Sequence, residues 1–586
     1  MLKTKYPLYI LVFCLMVGGF FLISIYRKPT ISLNTNSSNL IDLSADTVSA
    51  KISTLIVPHH DLVAEKRAKL FELAMNYTDY PDTIILVSTN HFDTGSYDIL
   101  TTDKTWNLAS GKLRPDSAII ASLVKKNLVA VQETAFAGEH GIANILPDIY
   151  LNFPDSEIVP IIIKPKTEKV ILDNLLVGLN EACINNCLLV DSVDFSHYQP
   201  ASLAQIHDDF TIRALNNLDE SSILKSEVDS VESLYLGMKW AEGKNAKKFN
   251  LVENTNSGVI ASDRDVESTS YVFGWYEQGI ANKKIEDSVS FTIGGDMMFD
   301  RLVDYTFRGD KIFDIFSNLG DRTFWGTDLA IANLEGPISA TPIPADGTRD
   351  SLVFNFPPKT TDVLLGLHFN ALSLANNHAL NHGKSGFENT IKVLNEAGIR
   401  PIGSQNTFDE TSVAEFGLPG KKISVITIES LEVSKNLTEV IQAEKAKGNK
   451  VLVFPHWGTE YEPIHSIAQA KLAYAWIDAG ADIVIGSHPH VIQDAEIYKG
   501  KPIFYSLGNL LFDQTFSAPT QHGLIIAGEF KGDNLSLVLL PTVQNKLKPE
   551  LLTGQEKTDF ITKMRGYLNL PVANQGLNYD KIEISI

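Results

Sequence analysis

Cysteine is nearly missing from this chain. It occurs three times in 586 residues, too few for a disulfide framework to stand in for a hydrophobic core. Positive charge is also short. Fifty Lys and Arg face seventy Asp and Glu, a net charge of −20. No Lys/Arg run breaks that excess, so a phosphate backbone is repelled and nucleic acid is excluded as a partner. Gly and Pro are close to average usage and no short-period repeat is present, which removes collagen-like, low-complexity and solenoid readings. What remains is globular. Hydrophobic residues make up 44 % and charged residues 20 %, enough for sizeable cores, and the length calls for more than one domain.

Only one long apolar run exists. Pro7–Tyr26 carries no charged side chain, and about twenty helical residues rise roughly 30 Å, the depth of a bilayer core. Ser24, Ile25 and Tyr26 suit signal cleavage poorly, and Phe13 is bulky where a lipoprotein signal before Cys14 wants a small residue. The reading is an uncleaved single-pass anchor over residues 1–28, with the bulk of the chain outside the cytoplasm. A polar spacer follows over 29–50. Cys183 and Cys187 read first as two reduced core thiols, with a local disulfide as the lesser alternative.

From Lys51 onward, β-branched runs alternate with amphipathic stretches, the mark of α/β layers. Strands are expected at Ile52–Val57, Thr83–Ser88, Ile158–Ile163, Leu188–Val193 and Tyr271–Tyr276, with a helix over Asp61–Tyr77. After a polar linker at 277–288 the pattern restarts. It places strands at Phe291–Gly294, Leu329–Asn333, Ala371–Ala375, Ile423–Ile428, Val451–Phe454, Ile483–Ile485 and Ile503–Ser506, and helices near Lys384–Ala397 and His465–Ala479. The fold class is α/β: a transmembrane helix, then two α/β domains over 51–276 and 289–586.

Polar residues follow the second set of strands. They are Asp296, Asn333 and Glu335, Asn376, Asn377 and His378, His456, and His488 with His490. Carboxyl ends of strands are where sites assemble in open α/β sheets, and these side chains suit divalent Mn, Zn, Fe or Mg. One such residue means little; five strand ends with the same chemistry predict one shared metal site. The series Gly295-Asp296, Asn333-Leu334-Glu335, Asn376-Asn377-His378, His456-Trp457-Gly458 and Gly486-Ser487-His488-Pro489-His490 resembles the bacterial capsule-synthesis protein CapA family, over roughly Phe291–Asp513. The resemblance implies a metallophosphoesterase-like layered sandwich and a part in capsule (poly-γ-glutamate type) or other cell-surface polymer production. It implies metal on Asp296, Glu335, Asn377, His456, His488 and His490, with Asn333 and Asn376 in the pocket. His378 then acts as general acid on the leaving oxygen of a phosphorylated or polymeric substrate. Met298 stands where the wider phosphoesterase pattern has a ligating His, which weakens a two-metal centre.

The first half repeats the theme. Pro58-His59-His60-Asp61, Thr89-Asn90-His91, Glu139-His140-Gly141 and Asp194-Phe195-Ser196-His197 resemble Memo-like proteins (the AmmeMemoRadiSam system protein B type) over roughly Lys51–Tyr276. That resemblance implies iron or copper on His59 and His91, with His140, Ser196 and His197 in the pocket. Ser196 replaces a thiolate, which argues against redox activity. Three readings follow: an anchored metal-dependent phosphoester hydrolase, a non-catalytic accessory subunit of a polymer-synthase complex, and an iron-dependent oxygenase in the first half.

Overall fold

The computed structural model describes residues 51–586 apart from 185, 264–266, 321, 342–344, 346, 432–436 and 572–578. The expected membrane helix over Pro7–Tyr26 lies outside these residues. Among the described residues no helix is long and apolar enough to cross a membrane. The longest, Ala201–Asn217, has 17 residues and carries Asp208, Asp209 and Arg213 along its length. Over the described residues the fold class is corrected to α/β domains with no membrane-crossing helix, and these residues give no support to the anchored function, the membrane partner, the single-pass topology or the extracytoplasmic placement.

Between Ile52 and Glu277 an eight-stranded sheet forms. Its centre is four parallel strands in the order Glu157–Ile163, Thr83–Thr89, Cys187–Ser192, Ile52–Val57. Thr83–Thr89 (TIILVST) is buried at every position, as expected of a β-branched strand covered by helices on both faces. Ser270–Glu277 and Lys248–Asn256 add antiparallel strands at one edge. The helix expected over Asp61–Tyr77 starts with a 3₁₀ turn, Asp61–Val63, and its α-helical part is Ala64–Met75. Cys183 and Cys187 are joined in a disulfide with Cα atoms 6.3 Å apart, so the reduced-thiol reading is corrected as well.

Beyond Ser288 two sheets pack face to face. One runs parallel through Arg400–Ile402, Ala371–Ser373, Leu329–Leu334 and Ser288–Met297, then antiparallel through the hairpin His522–Lys531 and Asn534–Asn545. The other has a parallel core of Lys421–Glu429, Lys450–His456, Ile483–Ile485 and Lys501–Phe504. Phe291, Ile293 and Ile331 from the first meet Val425, Leu452 and Ile485 from the second in one buried cluster. Helices such as Gly383–Glu396 and Ile467–Ala479 flank the strands. The latter begins after Ser466, which forms a reciprocal capping box with Gln469.

The two sets of strands share core. Leu203 and Ile206, on helix Ala201–Asn217, belong to the same buried cluster as Phe316, Leu319 and Phe324. Arg213 Nη2 meets both oxygens of Asp328 at 2.7 and 2.8 Å, a buried bidentate pair. The segment expected as a linker is pinned: Ile285 N donates to Asn217 Oδ1 at 2.8 Å, and Asn217 Nδ2 donates back to Ile285 O at 2.9 Å.

Candidate metal centres

The parallel strands of both sheets in the second half end at one place. Asp296 closes Ser288–Met297, Glu335 follows Leu329–Leu334, His456 closes Lys450–His456, and His488 and His490 follow Ile483–Ile485. His488 and His490 hold φ of 97° and 57°. Such left-handed backbone costs about 1–3 kcal/mol at a non-glycine residue. The double reversal around Pro489 is what brings both imidazoles to the same side.

Two groupings result. Asp296, Glu335 and His490 offer ligand atoms all within 4.8 Å of one another, every one buried. His490 Nε2 is 3.5 Å from Glu335 Oε1, and its Nδ1 is 3.5 Å from Asp296 Oδ2. His490 Nδ1 also donates to Asn509 Oδ1 at 3.0 Å. The Asn509 amide is oriented by its own bonds to His490 O and Thr520 O, so Nε2 is left for a ligand. Beside this lies Asn377 Oδ1, 2.8 Å from His456 Nε2, which is 3.1 Å from His488 Nδ1. Asn333 ties the two groupings together, its Nδ2 reaching Asp296 Oδ1 at 2.8 Å and Glu335 Oε2 at 3.3 Å on one side and His456 Nδ1 at 3.3 Å on the other. Asn376 in turn holds Asn333 Oδ1 at 3.0 Å. Met298, at the position lacking a ligand, is fully buried in the core and its sulfur accepts from Asp300 N at 3.0 Å.

The residues fit a divalent cation. Glu335 Oε1 is buried with no hydrogen-bond partner among the described residues, a costly arrangement unless a cation or a proton satisfies it. Burial drives the Glu335 carboxyl well above its usual range, reinforced by Asp296 and only partly offset by His490. Burial alone would depress His490, but Glu335 and Asp296 overcome it and push the imidazole up to about 9. Burial depresses His488 to about 4 and His456 well below its ordinary value, in each case with help from neighbouring imidazoles.

His378 stands at the edge, its Nε2 3.9 Å from Glu335 Oε1. Its Nδ1 is 3.1 Å from Asn381 Oδ1, an oxygen that also accepts from Phe354 N. Nδ1 therefore carries the hydrogen, and Nε2 faces the carboxylate with a lone pair. Burial holds its pKa below the usual value.

In the first half, His59, His91 and His140 come together, with ring centroids 3.8–5.2 Å apart, and their ligand atoms suit one cation. Asp194 and Asp229 form a second such set with His59. Asp229 Oδ2 lies 3.2 Å from His59 Nε2 and 3.7 Å from His91 Nε2. His91 Nδ1 is 2.5 Å from Glu139 Oε1. Burial opposes a charge on His91, but Asp229 and Glu139 raise it to about 9. Ser196 is engaged elsewhere. Its Oγ is 3.2 Å from His207 Nδ1, and His197 N donates to Glu227 at 3.0 and 3.2 Å. The carboxylate shared by His59 and His91 is thus Asp229, just before the N-cap Ser230 of helix Val231–Gly243. No strand end announces it, and sequence reading passed over it. Glu460, which clusters with His488 and His490, was missed for the same reason: it sits on an exposed loop.

Residues 290–514 match the family described as bacterial capsule synthesis protein PGA_cap, and residues 24–273 match that described as Memo-like protein. The PGA biosynthesis protein CapA of Bacillus subtilis is 29 % identical over 47 % of this chain and 77 % of its own length. The capsule biosynthesis protein CapA of Bacillus anthracis is 33 % identical over 27 % of this chain and 43 % of its own. A MEMO1 family protein of Methanosarcina barkeri is 28 % identical over 31 % and 71 %. With His/Asp/Glu clusters suited to a divalent cation in both halves, the chain is an N-terminal Memo-like domain fused to a C-terminal CapA-like domain of the PGA_cap kind, each only distantly related to its characterised homologues.

Proposed function

We propose that the CapA-like half is a metal-dependent hydrolase serving the production or processing of a capsule-type polymer, the process named for its Bacillus relatives. The observation that carries the reading is the buried Asp296–Glu335–His490 set with an unsatisfied Glu335 oxygen and a lone-pair imidazole, His378, alongside. A divalent cation there supplies Lewis acidity and lowers the pKa of bound water. Asp296, Glu335 and His490 hold it, Asn333 and Asn509 orient those ligands, and Asn377, His456 and His488 form the adjoining wall. His378 differs in role from the sequence expectation. With Nδ1–H committed to Asn381 and its pKa lowered, it is neutral near pH 7. It serves as the proton acceptor that can return the proton to a leaving oxygen.

A second reading concerns the Memo-like half. Asp229 beside His59 and His91 makes a two-histidine, one-carboxylate set, which favours a metal-dependent activity there over a purely structural pocket. We assign iron or copper to it, and Mn, Zn, Fe or Mg to the CapA-like centre.

The test is metal analysis of residues 51–586 after reloading with each ion, with a screen of phosphomonoesters, phosphodiesters and acidic polymers. Metal with turnover that His378→Ala lowers supports hydrolysis. Metal in the wild type with no turnover on any substrate supports the accessory reading instead.

A further inference from the structure

Tyr461, Gln514 and Phe516 line a cleft of about 280 Å³ that also holds His378 and His490. Its two arginines, Arg301 and Arg349, are matched by two acids, Asp513 and Glu460. Beyond the cation, recognition there falls to hydrogen-bonding groups. One of them is oriented from the metal centre outward.

The orientation starts at Asn509, whose Nδ2 donates to Thr520 O at 2.9 Å and to His490 O at 3.2 Å. Carbonyl oxygens only accept, so the two ends of this amide are fixed. Its Oδ1 takes the Nδ1 hydrogen of His490 at 3.0 Å, and its Nδ2 also reaches Gln514 Oε1 at 3.2 Å. That contact fixes the Gln514 amide in turn, because the reverse flip would set two donors against each other. Gln514 Nε2 therefore donates to Tyr461 Oη at 3.2 Å. A phenol oxygen that accepts still has its own hydrogen to give. That hydrogen is left to the cleft side, where the Glu460 carboxylate attracts it.

The backbone of Tyr461 sits at φ 66°, a strain that non-glycine residues carry mainly at functional positions. Its N–H donates to Pro489 O at 2.8 Å, which ties it to the turn carrying His488 and His490. Its ring lies 6.2 Å from that of His490 and meets Phe516 edge-on at 5.3 Å. The charge of Glu335 reaches the phenol as well. Burial and Glu460 push the phenol pKa up to about 12, so the oxygen keeps its hydrogen through the neutral range.

We propose that Tyr461 is a further catalytic residue of this centre, its O–H donating to the oxygen of the reacting group that the cation leaves unheld. Gln514 is its positioning residue and sets the direction of that hydrogen. The substrate oxygen replaces Glu460 as acceptor, and no covalent bond breaks in the exchange. The proposal rests on the hydrolase reading in taking this cleft as the reaction site.

Inorganic phosphate serves as the tetrahedral probe, titrated calorimetrically into the full chain at full Mn loading. Tyr461→Phe should weaken phosphate about 10-fold with metal content unchanged. That is the low end for a hydrogen bond to a charged group, because Tyr461 is 42 % exposed. On bis-nitrophenyl phosphate, kcat should fall more than KM rises. Gln514→Glu keeps the shape but turns that end into an acceptor, so it should draw the phenol hydrogen away from the cleft and weaken phosphate similarly. Repulsion by the added charge would act in either background, whereas an effect through the phenol should vanish once Tyr461→Phe is present. Wild-type phosphate affinity in Tyr461→Phe overturns the proposal, and full additivity in the double variant overturns the part given to Gln514. A metal-loaded wild type that binds no phosphate overturns it too. Tyr461-dependent phosphate binding with no turnover on any phosphoester leaves the donor standing and removes the hydrolase reading. Turnover with kcat and phosphate affinity untouched by Tyr461→Phe does the reverse.

Discussion

Arg322, from the CapA-like half, donates to Glu227 of the Memo-like half at 2.9 Å and to Val228 O at 3.2 Å. The next residue is Asp229, the carboxylate between His59 and His91. One arginine thus braces the backbone that carries a candidate ligand of the other half. Arg322→Met should lower stability by about 1–3 kcal/mol, the cost of removing a part-exposed charged partner from a fully buried carboxylate that keeps the His197 N–H and His207. It should also weaken metal binding at His59–His91–Asp229 and leave the Asp296 centre filled. Arg322→Lys should restore part of both. Unchanged occupancy of the first centre in Arg322→Met would show that the bracing is incidental.

Glu227 gives a pH dependence. Burial alone would raise its carboxyl, but His207, Arg322 and His197 bring it down to about 2 from an ordinary 4.5. A depressed carboxyl contributes stability that is complete above the unfolded value and is lost as pH falls toward the folded value. The contribution is therefore full above pH 5 and disappears between about 4.5 and 2, on the order of 2–4 kcal/mol. Glu227→Gln should flatten the stability profile in that acid window, as read by denaturant titration at stepped pH. A profile parallel to the wild type would refute the assignment.

In the second centre holding and reacting should come apart. His490→Ala should lower metal affinity by at least about 10–100-fold, the range even for indirect partners. His378→Ala should keep the metal and cut turnover by about 10²–10⁴-fold, the usual worth of acid–base help. Wild-type activity should rise with pH through the lowered pKa of His378, the variant should lose that dependence, and a nitrophenyl leaving group should shrink the loss. Loss of metal from His378→Ala would place it among the ligands.

Asp229→Asn tests the first centre without any activity. Removing that anion should bring the His91 imidazole down from about 9 toward its ordinary range, visible as an earlier midpoint in a histidine-labelled NMR titration of metal-free protein. Metal affinity should fall together with it. A His91 midpoint that does not move would reject Asp229 as its partner.

Much of the sheet framework was legible because buried parallel strands write themselves as β-branched runs. Ile52–Val57 and Ile483–Ile485 run between the very residues expected. The strand-end residues His59, His91, Asp296, Glu335, His456, His488 and His490 were legible for the same reason: each lies within a few residues of such a run. Asp229, Arg301, Arg322 and Glu460 were not. They sit on loops and at helix starts, where no periodicity marks them and only the closing of the fold says what they face. The hairpin His522–Lys531 to Asn534–Asn545 also escaped notice, although its two-residue turn, Gly532-Asp533, is glycine-containing as such turns require. The Cys183–Cys187 bridge was undecidable from spacing alone, because a gap of four admits either state.

Leu203 and Ile206 are rooted in the hydrophobic interior of the neighbouring half. Cut the chain at residues 277–288 and each piece is left with a raw apolar scar, the kind of surface that draws chaperones and proteases. Expressed as separate halves, each should therefore be less stable and more readily proteolysed than the same half within the joined chain.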